Sequence, residues 1–514
     1  MPKTLHLSGP ILHSLRCARS ALLWSGVLAA WVILPAVIGD WQESPHRWIT
    51  ILCYATALQF FMQLWSWKKV SGGLFDPYVV YLTAATLFNG GRTLLACLPD
   101  NSFESSFPPS IALYGIYVVA LALCSFHLGG LIAFASARVR PARARKTLAI
   151  PGATLRYVGG WLVLIAIVPM SILMKQAVTG VMRDGYGVAL YTNEAATSFA
   201  ATPSVLAAFL VPGAFLLLAG SAKRAGLRLT TAAIVGVYSG SLLFIGWRAA
   251  AISVAIAYVW LWHRCVRAIP RAAILSLGAL LLAIMPAVAA MRNLTGQDRI
   301  SLDTFIQSVE DAKAFSAIEE MGGTWGTVAH TVSLVPSERP FDYGASYGLA
   351  ALTIFPNLFW NVHPALSHGS PETWLVRRVA PWSALRGGGL GFSFIAEAYL
   401  NFSLAGCVVI IGALGFLLAR AVRWAESVGH PLAFALVASA LTASLKYVRA
   451  DSTELIRPLV WYSIGPYLLV LLLSIRKKRS QVIVTSRGTA PLSGPVGRPS
   501  LGVAPEECRV ARKV

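Results

Sequence analysis

Apolar residues along the chain run in blocks of about twenty, separated by short polar or basic stretches. That is the pattern of helices that cross a bilayer, because about 20 mainly apolar residues span the hydrocarbon core. Twelve blocks meet the criterion: 21–39, 48–67, 77–98, 111–135, 157–173, 203–220, 230–246, 249–263, 272–291, 391–419, 431–447 and 458–475. The weakest pair, 230–246 and 249–263, reads as one hairpin broken at Gly246-Trp247-Arg248. Lys3, Arg16 and Arg19 precede the first block as they would in a signal peptide, but the block lacks a clean small-x-small cleavage site. An uncleaved anchor is expected.

Composition agrees with the pattern. The chain has 514 residues, 56% hydrophobic and only 13% charged, about half the charged fraction of a soluble domain. A soluble multidomain enzyme is excluded. The net charge of +21 first asks which connections carry it. With the N-terminus inside, the inner segments hold 28 basic and 4 acidic residues, and the remainder holds 15 and 18. The Arg138 to Lys146 run and Arg476-Lys477-Lys478-Arg479 then both lie inside. Both termini are expected in the cytoplasm, and the excess charge specifies orientation and lipid contact rather than nucleic acid. Seven cysteines, scattered without a C-x-x-C, imply neither a disulfide framework nor a zinc site.

Four regions follow: an N-terminal membrane region of about nine helices (1–291), a large outer loop (292–390), a C-terminal membrane region of about three helices (391–475), and a basic disordered tail (476–514). About 100 residues is too long for a simple connection. From Leu302 to Met321 apolar residues recur near helical spacing, which predicts one amphipathic surface helix. Ala345 to Trp360 contains Pro356-Asn357 and is too short to span, which predicts a re-entrant or interfacial piece.

Ionisable residues in or beside apolar helices are costly unless they line a cavity or find partners. Arg248, at the hairpin tip, can hold a phosphate or pyrophosphate through paired hydrogen bonds; the alternative is an interfacial Trp-Arg anchor. Arg92, near the end of the third block, and Arg292, at the end of the ninth, are candidates for further anion contacts, and for Arg292 a helix-end anchor is the expected role. Ser393, Glu397 and Asn401 recur every four residues in 391–419 and form one polar stripe. Glu397 lies roughly 9 Å below the helix end, where a carboxylate suits general-base work or substrate contact; a structural pairing with arginine is the alternative. The turn containing Lys446, Arg449, Asp451 and Glu454 binds sugar or phosphate, or pairs its own charges in water. Arg183-Asp184-Gly185-Tyr186-Gly187 offers charge and an aromatic face, as carbohydrate contacts do and as ordinary loops also do. No Walker-type glycine loop and no H-E-x-x-H pair appear. The nearest acidic pair with metal-binding spacing, Asp40 and Glu43, is a weak match.

These pieces occur in an order that resembles the bacterial oligosaccharide repeat-unit polymerases, the Wzy-type O-antigen polymerases. The resemblance covers about residues 70 to 475. It rests on Leu74-Phe75-Asp76-Pro77, Phe88-Asn89-Gly90-Gly91-Arg92, Gly185-Tyr186, Gly246-Trp247-Arg248 and Arg292 before the long loop. Within and beyond that loop come Tyr343-Gly344-Ala345-Ser346-Tyr347, Ile354-Phe355-Pro356, Gly391 through Glu397 to Phe402, and Tyr447-Val448-Arg449-Ala450-Asp451.

The resemblance implies an all-α, GT-C-like polytopic glycosyltransferase of the bacterial inner membrane. Such an enzyme moves a growing glycan from undecaprenyl pyrophosphate onto a new lipid-linked repeat unit at the periplasmic face, without nucleotide sugar, cofactor or metal. A chain-length regulator is the implied protein partner; membrane lipids surround the helices. Arg248 becomes the pyrophosphate clamp, Arg92, Arg292 and Arg449 further anion contacts, and Glu397 the general base or acceptor orienter. Tyr343, Ser346, Asn401 and Asp451 would shape the sugar site, with His330 an alternative base. An O-antigen ligase shares the architecture. A lipid-linked oligosaccharide transporter is disfavoured, because no internal repeat is found.

Overall fold

The computed structural model describes residues 9–38, 43–136, 150–191, 202–292, 294–310, 315–357, 360–385 and 388–487. Asp40, the Arg138 to Lys146 run and the tail beyond Arg487 lie outside the described residues. Among those residues every regular element is a helix. The first ten are α1 (Gly9–Val37), α2 (Pro45–Ser71), α3 (Pro77–Leu95), α4 (Pro109–Ala135), α5 (Gly152–Tyr191), α6 (Thr202–Ala207), α7 (Leu210–Ala219), α8 (Ala225–Ile245), α9 (Arg248–Cys265) and α10 (Arg271–Met291). The long connection folds into α11 (Gly296–Ile300), α12 (Leu302–Glu310), α13 (Ser316–Gly322), α14 (Trp325–Leu334), α15 (Ala345–Leu352), α16 (Pro364–His368), α17 (Pro371–Val379) and α18 (Pro381–Leu385). The chain ends with α19 (Phe394–Val428), α20 (Pro431–Tyr447), α21 (Thr453–Pro458), a π-helical turn (Leu459–Ile464) and α22 (Gly465–Arg487).

Each of the twelve apolar blocks overlaps a helix, and among the described residues eight helical stretches are each long and apolar enough to cross a bilayer. Their apolar side chains point both ways. Leu22, Phe61, Leu164, Leu275 and Leu472 are exposed on α1, α2, α5, α10 and α22; in water such surfaces would aggregate, whereas lipid solvates them. The chain is a multi-pass membrane protein.

Among the described residues two large apolar cores organise the helices, with a smaller third joining α5, α7, α20 and α22. One joins α1 to α4 with α14 and the first half of α19; the other joins α5, α7, α8 and α9 with α20 and the end of α19. Because lipid tails are as apolar as leucine, such packing depends on close backbone approach and interhelical hydrogen bonds. Glycines supply the first. A Cβ on Gly129 would lie 1.9 Å from the Gly412 carbonyl, and one on Gly415 2.0 Å from that of Phe126, so α4 and α19 touch backbone to backbone. Buried polar side chains supply the second. Gln59 Nε2 and Gln63 Nε2 donate to the Ala120 and Leu123 carbonyls at 3.0 and 2.9 Å, tying α2 to α4. Ser66 and Tyr78 engage the two ring nitrogens of His127.

Several expectations change. The predicted helix from Leu302 to Met321 is two helices, α12 and α13, and Phe315 before α13 has φ +64°. The block 203–220 is divided into α6 and α7. The 391–419 block is not one straight helix. Backbone angles leave the helical region at Phe402 and Ser403 (φ +55°), and the preceding leg folds back so that a Cβ on Gly406 would lie 2.0 Å from the Ala398 carbonyl. The freed carbonyls of Leu400 and Asn401 accept instead from the Asp342 and Tyr343 N–H groups. Ser393 caps this leg by accepting from the Ile395 and Ala396 N–H groups. Glu397 therefore sits on an eight-residue leg, and the depth expected from a straight cylinder does not apply. The hairpin break at Gly246-Trp247-Arg248 is present: Gly246 (φ +106°) closes α8, and Arg248 opens α9. Ala345 to Trp360 is no span; its helix, α15, has eight residues.

Candidate functional site

The C-terminal ends of α3, α8, α10 and α20 and the N-terminal ends of α9 and α19 come together at one end of the bundle, with the long connection folded over them. Near this meeting point lies Glu397, whose side chain is fully buried. Its carboxylate accepts four hydrogen bonds. Ser346 Oγ of α15 donates to Oε1 at 2.9 Å and Ser452 Oγ at 2.6 Å. The Ser452 N–H and Tyr447 hydroxyl donate to Oε2 at 2.8 and 3.2 Å. An isolated ionised carboxylate in such a place would be strongly unfavourable, but this one is matched by donors from two separate stretches, α15 and the end of α20 with the turn after it. Asn401 completes the network: Nδ2 donates to Ser346 Oγ and to the Glu397 carbonyl, both at 2.8 Å, and Oδ1 accepts from the Gly344 N–H. Ser393, third member of the sequence stripe, instead donates to Asn89 Oδ1 of α3 at 2.6 Å.

A second cluster is cationic. Arg248 makes a two-pronged contact with Glu320 of α13, Nη1 to Oε2 at 2.8 Å and Nη2 to Oε1, and its Nη1 reaches the Met285 carbonyl at 3.4 Å. That contact is the main reason the Glu320 carboxyl is held below the usual carboxylate range; Arg292 and Arg449 add to it at longer range. Arg292 lies over the Tyr186 ring, 4.6 Å from guanidinium carbon to ring centre, and its Nε is buried without a hydrogen-bond partner. Arg449 forms no ion pair among the described residues. Its guanidinium packs against Gly391, where a Cβ would lie 2.8 Å from Nε. Burial, and then the nearby Arg248, lower the pKa of Arg449, opposed by Glu320 and Glu372. Three guanidinium groups thus face two carboxyl groups, Glu320 in contact with Arg248 and Glu372 acting on Arg449, so the cluster carries excess positive charge in a partly desolvated place.

The turn between α20 and α21 joins the two clusters. Tyr447 and Ser452 hold Glu397, while Arg449 between them belongs to the arginine group. Arg92 approaches from α3: its Cγ would lie 3.1 Å from a Cβ on Gly322, on the helix that carries Glu320. Asp451 caps its own turn, accepting from the Thr453 N–H at 3.1 Å and from the Thr453 hydroxyl. Tyr343 is not brought in; its side chain is 75% exposed. His330 packs edge-on against Phe107, apart from both clusters, and burial lowers its pKa. Arg183 pairs with its neighbour Asp184 in an exposed position.

Two participants escape sequence reasoning. Glu320 follows Glu319 in an ordinary acidic pair, and only the fold places one of them against Arg248. Arg299 is buried, and its guanidinium takes the carbonyls of Phe244, Ile245, Arg292 and Leu294 at 2.5 to 3.2 Å. It satisfies the open end of α8 and pins both the Arg248 hairpin and the start of the long connection.

The fold and site define a multi-pass, all-helical membrane protein with a buried carboxylate network beside an arginine cluster at one end of its bundle. The family model of the O-antigen polysaccharide polymerase Wzy matches residues 30–480. The chain belongs to this family, and with it to the polymerases of polysaccharide biosynthesis, a glycosyltransferase-like activity on lipid-linked oligosaccharide repeat units. No curated protein and no solved structure matches the chain.

Proposed function

We propose that this protein lengthens O-antigen, or a related surface polysaccharide, by transferring a glycan from undecaprenyl pyrophosphate onto an incoming undecaprenyl-pyrophosphate-linked repeat unit. The work is done at the periplasmic face of the inner membrane by a chain of twelve crossings with both termini in the cytoplasm. The observation that carries the reading is the group of Arg248, Arg292 and Arg449, of which Arg248 pairs directly with Glu320. A pyrophosphate leaving group develops negative charge as its bond to the anomeric carbon breaks, and preorganised guanidinium groups stabilise that charge. Arg248 supplies a planar fork suited to phosphate oxygens, and Arg92 supports the cluster from α3. Glu397 serves as base or acceptor orienter, with Asn401 fixing the helix leg and Asp451 the turn. Because its carboxylate is enclosed, Glu397 acts through the hydroxyls that hold it, Ser346 above all.

Complementing a deletion strain with Arg248→Ala or Glu397→Gln tests these roles. Each variant should reach the membrane and cut chain lengthening by at least on the order of 100-fold, leaving a single repeat unit on the lipid core; a parental ladder of bands removes the role of that residue. An O-antigen ligase, the second reading, would leave carrier-linked polymer instead.

A further inference from the structure

A narrow cleft of about 20 Å³ opens between α15, α16 and α17, lined by Arg339, Asp342, Ser346, Leu349, His368 and Thr453, among others. A wider, shallower one of about 300 Å³ adjoins it, sharing Thr453 and reaching Arg457 and Tyr462 beside the π-helical turn. The wider one is at the lower edge of the roughly 300–1,000 Å³ of small-ligand sites, whereas the narrow one has room for a single hydroxyl or water. The first offers donors and acceptors side by side. Arg339 Nη2 contacts both Asp342 oxygens at 2.8 Å, and its guanidinium carbon lies over the Trp374 ring, 4.5 Å from the centre, so the pair is held in place. A neutral hydroxyl matches such a wall better than an anionic group would, because Asp342 already balances Arg339.

Ser346 connects this cleft to the buried carboxylate. Of the described residues lining the cleft, it alone hydrogen-bonds Glu397. Its hydroxyl donates to Glu397 and accepts from Asn401, which leaves one lone pair free to accept a further hydrogen bond.

We propose that the wider cleft beside Thr453 binds the acceptor repeat unit as a neutral pyranoside chain, whose reacting hydroxyl enters the narrow cleft and donates to Ser346 Oγ. The inference rests on the polymerase reading above. In the transfer step the acceptor oxygen bonds the donor's anomeric carbon as the bond from that carbon to the pyrophosphate oxygen breaks. The electron pair leaves with the pyrophosphate toward the arginine cluster. The acceptor's proton passes to Ser346 Oγ, and the Ser346 proton moves to Glu397 Oε1. Ser346 is thus a catalytic residue, and Glu397 acts through it.

Two probes separate this site from the carrier site: the free repeat-unit oligosaccharide, without lipid or phosphate, and an isoprenyl pyrophosphate without sugar. With purified full-length protein in detergent, saturation-transfer NMR should show the oligosaccharide binding to wild type. Leu349→Trp, which fills the cleft, should weaken that binding by about tenfold or more and leave isoprenyl pyrophosphate binding unchanged. His368→Ala, an exposed substitution that leaves the packing intact, should weaken it less. Ser346→Ala should keep binding of both probes yet lower turnover on the order of 100-fold. Wild-type oligosaccharide affinity in both Leu349→Trp and His368→Ala overturns the proposal, as does absence of oligosaccharide binding to wild type while isoprenyl pyrophosphate binds. Wild-type turnover in Ser346→Ala overturns the proton path. Failure of isoprenyl pyrophosphate to bind wild type overturns the polymerase reading itself.

Discussion

Arg248 and Glu320 satisfy one another, and that mutual satisfaction has a chemical cost for any anion arriving at the cluster. A pyrophosphate must either displace the carboxylate or share the guanidinium with it. Glu320→Gln removes the competing charge and keeps the volume, so it should tighten isoprenyl pyrophosphate binding about five- to tenfold at low salt, read by titration of the purified protein. Unchanged or weaker binding would mean that Glu320 positions Arg248 rather than competing for it.

Glu372, at the start of α17, titrates differently. Burial, with Asp451 and Glu454 nearby, pushes its pKa up to about 7, and Arg449 opposes the shift. The folded protein therefore keeps a proton that the unfolded chain has already lost between about pH 4.5 and about 7. Its contribution to stability is present in acid and declines as the pH rises through that window. Thermal melts in detergent at about pH 5 and about pH 8 should show a drop for wild type that Glu372→Gln reduces; equal drops would exclude this carboxyl as the source. Of the site residues, Arg248, Arg449 and Glu397 were legible because charge is rare in so apolar a chain. Glu320 and Glu372 were not, since nothing local separates them from solvated carboxylates such as Glu319.

At the level of elements, the membrane helices were legible because lipid demands long apolar runs, and positions such as Pro45, Pro77 and Pro109 mark their starts. The break in α19 was hidden. Asn401-Phe402-Ser403-Leu404 contains neither glycine nor proline, and the turn is held by Gly406 against Ala398 and by the N–H groups of Asp342 and Tyr343, contacts that only tertiary structure supplies. Glycine seams make a sharper test of packing. Gly129→Leu should abolish the accumulation of folded protein, because backbone atoms of α19 occupy the space; Gly278→Leu, on α10 with nothing within 4 Å, should fold like wild type. Detergent-extracted yield and the gel-filtration profile compare them. A folded Gly129→Leu protein would contradict the α4–α19 contact.

Across the whole molecule the charges divide by end. Lys68 and Lys69 close α2, Arg264 closes α9, and Arg271 opens α10, all at the end of the bundle opposite the arginine cluster. In the orientation we propose from the positive-inside bias, that basic end faces the cytoplasm, so a reporter fused after Lys478 should read cytoplasmic and one inserted in the long connection periplasmic. The opposite pattern would reverse the proposed orientation, and both reporters on one side would overturn the count of crossings.

The four hydrogen bonds to Glu397 also set an order in time. The chain is made from its N-terminus, and residue 397 precedes two of the residues that satisfy it, Tyr447 and Ser452, by about fifty positions. During synthesis the carboxylate has only Ser346 from the finished part of the chain, and three of its four bonds wait until α20 has been inserted and the turn behind it has emerged. The site thus exists only after nearly the whole protein has been built, so a prematurely terminated chain holds most of the membrane helices and none of the completed polar network.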